Sequence, residues 1–271
     1  MDSHCHLADQ VFADDLEAVV TRAREAGLTR ALCILAAGDE EESAAAARLR
    51  SLWPDVRFAV GVHPHQAGQF AGAVDVAVAT VRLAVEAEGA CAIGEIGLDY
   101  HYDFSPPAVQ QEVFEAQVEL AGELQLPVVI HTREATDDTF AVLERAGERR
   151  LRGVFHCFTG DVATARRALE IGFHVSLSGI VTFPRAAELR EVAAMLPAER
   201  LLIETDAPYL LPRDLHPMPK GRRNEPRFLA HIANRIATFM NKSIEDVARA
   251  TTENAERLFG LQAQGQRQLL L

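Results

Sequence analysis

The chain has 271 residues, an ordinary length for one α/β barrel, which runs to about 250 residues without insertions. With 48% hydrophobic and 24% charged residues it has ample material for a core, so intrinsic disorder is excluded as the default. The formal net charge of −12 opposes nonspecific attraction to polyanions and confines any nucleic-acid role to a local patch. Cys5, Cys33, Cys91 and Cys157 lie in or beside apolar runs without tight metal-ligand spacing, which fits free thiols in a reducing cytoplasm. There is no basic-then-apolar leader and no run of about 18 apolar residues, so neither export nor a membrane partner is expected.

Short runs rich in Val, Ile and Leu alternate with longer amphipathic stretches, the pattern of βα units around a buried parallel sheet. The first strand is expected at 2–6 (DSHCH), followed by a helix with Phe12, Leu16, Val19, Val20 and Ala23 on one stripe and Gly27 as its stop. Strands at 31–36, 57–62 and 91–96 come next. An SPP segment then starts a helix, with Ser105 as the cap and Pro106 in the first turn, ahead of Val109, Val113, Val118 and Leu124. Strands at 127–131 and 153–156 precede a short helix opened by Asp161 and ended by Gly172, and strands at 173–178 and 201–205 complete a set of eight. The stretch 207–227 holds too many prolines for a helix and reads as a long loop, helical pattern resumes from Phe228 to Phe259, and a loosely docked tail follows Gly260. The expectation is a single-domain (β/α)₈ TIM barrel over 1–260 with a tail at 261–271, although an open doubly wound sheet has a similar local pattern.

Barrel enzymes gather their chemistry where strands end and βα loops begin. In these eight strands His4 and His6 end the first, His63 the third, Glu95 the fourth, His131 the fifth and His156 the sixth, while Asp206 follows the eighth. Alternate side chains of a strand share a face, so His4 and His6 enter the barrel mouth together and Cys5 points outward. A lone histidine at a strand end is usually a satisfied core or surface group; six or seven ligand types at one rim favour a shared cation. Imidazoles with a few carboxylates suit Zn²⁺, Mn²⁺ or similar ions. Glu95 can bridge two of them, with His4, His6 and Asp206 on one and His131 and His156 on the other. Such ions lower the pKa of water from 15.7 toward about 7, which makes hydrolysis the natural reaction class and Asp206 the group to take the water's proton.

DSHCHL, GVHPH, GEIGLDYH, PVVIHTREA, FHCFTG, ETDAPYL and RRNEP occur in an order that resembles the TatD family of metal-dependent deoxyribonucleases, over nearly the whole chain. The resemblance implies a TIM-like barrel with two divalent metal ions (Mg, Mn or Zn) and phosphodiester hydrolysis, often from 3′ to 5′. Residue by residue, it implies His4, His6, Glu95, His131, His156 and Asp206 as metal ligands, with Asp206 also as general base and Glu95 as the second catalytic carboxylate. His63, His65, Arg133, Arg223 and Asn224 resemble substrate-side groups.

Arg213, Lys220, Arg222, Arg223 and Arg227 outnumber Asp214 and Glu225 in the proline-rich loop, which suits a phosphate partner despite the acidic whole. Tyr100, Tyr102, Phe158 and Tyr209 sit near the expected rim, where a ring can stack on an unpaired base. The expected substrate is DNA as single strands or 3′ ends, with RNA a further possibility, and a monomer is expected rather than an obligate oligomer. An amidohydrolase or lactonase would use the same metals on a carbonyl, and an aminoacyl-tRNA editing hydrolase or a noncatalytic binding protein are further alternatives. Many carbonyl-directed barrels bridge their metals with a modified lysine; here Glu95 stands on the fourth strand and no lysine ends a strand, which favours the nuclease branch.

Overall fold

The computed structural model describes residues 1–146 and 151–261. Eight strands, β1 (Asp2–Cys5), β2 (Ala31–Ala36), β3 (Arg57–Gly61), β4 (Ala92–Asp99), β5 (Val128–Arg133), β6 (Gly153–Phe155), β7 (His174–Leu177) and β8 (Leu201–Ile203), pair in parallel and in sequence order. Each lies within three residues of its expected bounds. Between them run α1 (Leu16–Glu25), α2 (Glu40–Leu52), α3 (Val74–Glu88), α4 (Pro107–Leu124), α5 (Thr136–Arg145), α6 (Val162–Glu170) and α7 (Ala187–Met195). After β8 come α8 (Leu229–Met240) and α9 (Ile244–Leu258).

Strand alternation sorts the apolar residues into two cores. Leu32, Ile34, Ala59, Ala92, Val129, Val154 and Leu202 fill the barrel, and Leu258 and Phe259 at the end of α9 close it from below. The intervening residues, among them Cys33, Leu35, Phe58, Ile96, Ile130 and Val175, pack outward against the helices. The barrel floor is therefore a plug of packed side chains rather than a pore, and the open end is the C-terminal rim.

Closure occurs between β1 and β8, which excludes the open-sheet alternative. The Asp206 N–H donates to the His4 carbonyl at 3.0 Å and the His6 N–H to the Ala207 carbonyl at 2.7 Å. The buried Asp2 carboxylate accepts from the Thr205 N–H at 3.0 Å and the Thr205 hydroxyl at 2.6 Å, and the Ser3 hydroxyl donates to the Ile203 carbonyl. A four-residue first strand is thus pinned by its own side chains.

Two local expectations, the cap of α4 and the end of β8, need correction. Ser105 does not cap α4: Pro107 is the first helical residue, and the Ser105 hydroxyl instead donates to the His65 carbonyl and accepts from the Gly68 N–H. The helical pattern expected over 228–259 is present as two helices: Asn241, with a φ of 52°, ends α8, and Ser243 caps the N-terminus of α9. β8 stops at Ile203, two residues early, because the chain turns out toward the rim at Thr205–Asp206. Asp161 does cap α6, accepting from the Thr164 N–H, and Gly27 and Gly172 take the left-handed φ of 88° and 82° that helix stops favour. All but the first residue of the expected C-terminal tail lies outside the described residues.

Candidate metal centre

The β4 strand explains why Glu95 reaches the mouth. Ile93 pairs with Val128 and Ile96 with Ile130, three steps against two, so an extra residue is inserted at Gly94–Glu95. Such a bulge re-aims a side chain. The flanking glycines permit it: a Cβ on Gly94 would stand 2.5 Å from the Val129 Cβ. One on Gly97, where φ is 144°, would stand 1.9 Å from the His131 carbonyl oxygen.

One layer above the apolar plug, His4, Glu95, His131, His156 and Asp206 converge. The His4 Nε2 lies 3.2 Å from the His6 Nε2, 3.3 Å from the Glu95 Oε2 and 3.5 Å from the Asp206 Oδ1, and the His6 Nε2 lies 3.3 Å from that same Oδ1. The other Glu95 oxygen, Oε1, is 2.7 Å from both the His131 Nδ1 and the His156 Nε2 and 3.4 Å from the His63 Nε2. Glu95 therefore offers one oxygen to each of two donor groups. The His4 and His156 rings stack with centroids 3.9 Å apart, which fixes the spacing of the groups. Asp206 holds a left-handed φ of 56°, a strained geometry for a non-glycine residue that the β1–β8 bond from its N–H sustains.

Behind these groups stand two carboxylates that sequence reasoning missed. Asp99 accepts from the His65 Nε2 at 2.9 Å, the His131 Nε2 at 3.0 Å and the N–H groups of His101 and Tyr102. Glu204 accepts from the Ser176 hydroxyl and the Cys157 N–H; its Oε1 lies 3.3 Å from the His156 Nδ1, an electrostatic approach rather than an aligned hydrogen bond. Both were detectable by strand alternation, since 95, 97 and 99 share a face of β4, and 202, 204 and 206 continue one line at β8.

Burial alone would raise the pKa of Glu95, but His156, His63 and His131 hold it well below the usual carboxylate range. Asp206 is lowered likewise, with His6 and His4 overcoming burial. Burial also works against a charged His6, yet the Asp206 contact and charge push it up to about 9. His63 goes the other way, down to about 4, because burial outweighs its attraction to Glu95.

A cavity of about 790 Å³ opens above the cluster, and His63, His65 and Arg133 line it as expected. Arg223 and Asn224 do not. Arg223 spans the two oxygens of Asp15 at 2.9 and 2.7 Å, reaches Glu225 and lies over the Phe12 ring, while Asn224 is buried and donates to the Thr205 and Tyr209 carbonyls. Acidic partners from the residue before α1, Asp15, and from the loop itself, Glu225, turn RRNEP into a clamp on the β8 loop. Of the four aromatic residues, Tyr102 and Tyr209 line the cavity, Phe158 is buried in the core, and Tyr100 bonds to Asp138 and Gln111.

The donor set fits divalent cations. Among the described residues, every ion-pair partner of Glu95, Asp99, Glu204 and Asp206 is a histidine, so neither arginine nor lysine neutralises four buried carboxylates. Burying that much negative charge is costly unless protonated imidazoles or bound cations offset it, and an imidazole that gives up its proton is free to ligate a cation in its place. Three groups, His4–His6–Asp206, His63–Glu95–His131 and His4–His156–Glu204, each bring donor atoms within 4.8 Å of one another. Imidazole and carboxylate together suit borderline divalent ions.

Residues 1–260 match the family described as TatD related DNase. The chain belongs to the TatD family. It is 42% identical over 262 residues to a 3′-5′ ssDNA/RNA exonuclease TatD of Pantoea sp. (strain At-9b), covering 96% of this chain and 99% of that one. A protein of Bacillus subtilis (strain 168) named as an uncharacterized metal-dependent hydrolase, YabD, is 38% identical, with 95% and 98% covered. The crystal structure of YJJV, a TatD homolog from Escherichia coli K12, superimposes with a TM-score of 0.83 at 30% identity, covering 96% of this chain and 97% of that one. This TatD-family chain is a metal-dependent hydrolase with a (β/α)₈ barrel, and no helix among its described residues is long and apolar enough to cross a membrane.

Proposed function

We propose that this TatD-family chain is a nuclease that uses two divalent cations to trim single-stranded DNA or RNA from the 3′ end, working as a cytoplasmic monomer. The observation that carries the reading is the split of Glu95, one oxygen toward His4 and His6 and the other toward His131 and His156, beneath a cavity also lined by Arg133. His4, His6 and Asp206 would hold one cation and His131 and His156 the second, with Glu95 between them. His63 is near enough to Glu95 and His131 to join the second set. When bound, cations of this kind acidify water and offset charge on an attacked phosphodiester.

The protein's own groups do the rest. Asp206 takes the proton of the attacking water on its carboxylate, which its histidine neighbours keep ionised and oriented. As the water oxygen bonds to phosphorus, the bond to the leaving ribose oxygen breaks, and that oxygen takes up a proton, which returns Asp206 to its ionised form when the proton is the one it accepted from the water. Arg133 lines the cavity and, among the described residues, has no carboxylate partner; its guanidinium lies 4.9 Å from the Tyr102 ring centroid and is free to pair with a non-bridging phosphate oxygen. Asp99 and Glu204 hold the imidazoles in place.

The test is a 5′-labelled oligonucleotide assay on protein stripped with chelator and reloaded with Mg²⁺, Mn²⁺ or Zn²⁺, run beside amide and lactone substrates. A ladder shortening from the 3′ end is expected, faster on single strands than at internal duplex sites. Hydrolysis of amides or lactones with intact oligonucleotide would overturn the reading.

A further inference from the structure

Two neighbouring aromatic rings stand open on the β4 side of the cavity. Tyr102 is 42% exposed and Phe104 64% exposed, with ring centroids 5.3 Å apart and planes 30° from each other. They are not loose. The Tyr102 N–H donates to Asp99, Ser105 ties the same loop to the His65 carbonyl and Gly68, and the His65 ring packs edge-on against both, at 5.5 and 4.8 Å. Arg133 covers part of Tyr102 from the cavity side. The result is an apolar shelf, held by the residue that also orients His131, with a guanidinium at its inner edge.

The opposite wall has the contrary character. There Glu42 lines the cavity beside His6, and Asp9 lies near the Tyr209 hydroxyl. Neither offers anything to a phosphate, and both repel one. Arg133 is the one guanidinium among the residues lining the cavity, so a phosphate finds its partner on the β4–β5 wall even though the exposed Asp103 and Glu134 stand nearby, whereas the β1–β2 wall offers it none.

Building on the nuclease reading, we infer that Tyr102 and Phe104 form a stacking platform for one unpaired nucleobase next to the scissile phosphate, with Arg133 on the phosphate itself. A paired base cannot offer its face to such a shelf, so the platform selects single strands irrespective of base identity. The substrate strand accordingly enters over the β4–β5 rim.

Fluorescence anisotropy of the cation-loaded full chain with a labelled single-stranded oligodeoxynucleotide, its 3′-terminal linkages phosphorothioate so that turnover is blocked, tests this directly. Three further oligonucleotides each carry one abasic residue among the last three positions. The double variant Tyr102→Ala/Phe104→Ala should weaken binding of the intact strand about tenfold or more, the scale of one lost stacked base. One abasic substitution should cost the wild type a similar factor and cost the double variant less than twofold, because ring and base are then one interaction. Tyr102→Phe, which keeps the ring, should recover affinity toward wild type when paired with native Phe104, and thermal midpoints check that each variant is folded. Equal affinity of wild type and double variant, penalties that multiply, or no binding by wild type would each overturn the platform. Coupled binding with no cleavage of the all-phosphodiester strand would leave the platform standing and overturn the nuclease reading.

Discussion

Asp99 grips two imidazoles at once and Glu204 faces a third, so neither needs to touch a cation to matter. Asp99→Asn should therefore weaken cation binding about 10- to 100-fold, the usual cost of losing the carboxylate behind a ligating histidine. Calorimetric titration of the stripped protein checks this, and an unchanged affinity would reduce Asp99 to a loop anchor. His174 supplies a separate prediction at the floor of the barrel. Burial there lowers its pKa from 6.5 to about 4, with Arg200 and Arg257 adding to the effect. Between those values the unfolded chain binds the proton and the folded one does not, so the stability present above pH 6.5 is lost as pH falls toward 4. His174→Gln should flatten the fall of thermal midpoint across that window, by up to about 3 kcal/mol in stability; parallel curves for the two proteins would contradict it. At this scale the sequence was legible where residue type and strand parity agree, as for His4, His6, Glu95, His131, His156 and Asp206. It was misleading at Arg223, where the basic string hides that Asp15, some two hundred positions away, already occupies the guanidinium.

The β4 strand concentrates the element-scale constraints. Its inserted residue turns Glu95 inward, and Gly97 lets it press against β5 where His131 sits. Gly97→Ala forces a Cβ into the His131 carbonyl in a backbone region closed to alanine, so a loss of more than about 2 kcal/mol is expected. Cation affinity should fall with it, because the backbone that yields carries His131; a thermal midpoint equal to wild type would refute this. Seven of the eight strands carry short apolar runs bounded by turn residues, because a parallel strand buried on both faces leaves that signature; β1, with the sequence DSHC, does not. The bulge in β4 and the Ser105 contacts could not be read from such runs, since both depend on which neighbour lies across the sheet or loop. The SPP start of α4 misled for the same reason: Ser105 meets the 64–70 turn before it can reach the helix.

On the scale of the whole molecule, a chain of formal net charge −12 presents Arg133 as the one guanidinium among the residues lining its cavity. Few phosphates are then neutralised, so the apparent affinity for single strands should fall only gently with salt. Each phosphate contact contributes a log–log slope of about −0.7, and a total near −1 to −2 is expected; a slope steeper than about −5 would mean a broad basic track instead. The same scale holds the central claim, that β1, β4, β5, β6 and β8 bring six candidate ligands to one rim, where four buried carboxylates faced only by histidines would hold divalent cations. Titration of the stripped protein with Mn²⁺ or Zn²⁺, read by calorimetry and by metal content after gel filtration, tests it most directly. Two ions per wild-type chain and a loss of both tight sites in Glu95→Gln are expected. A wild-type chain that retains no divalent ion, or a Glu95→Gln chain that binds two as tightly as wild type, would contradict it.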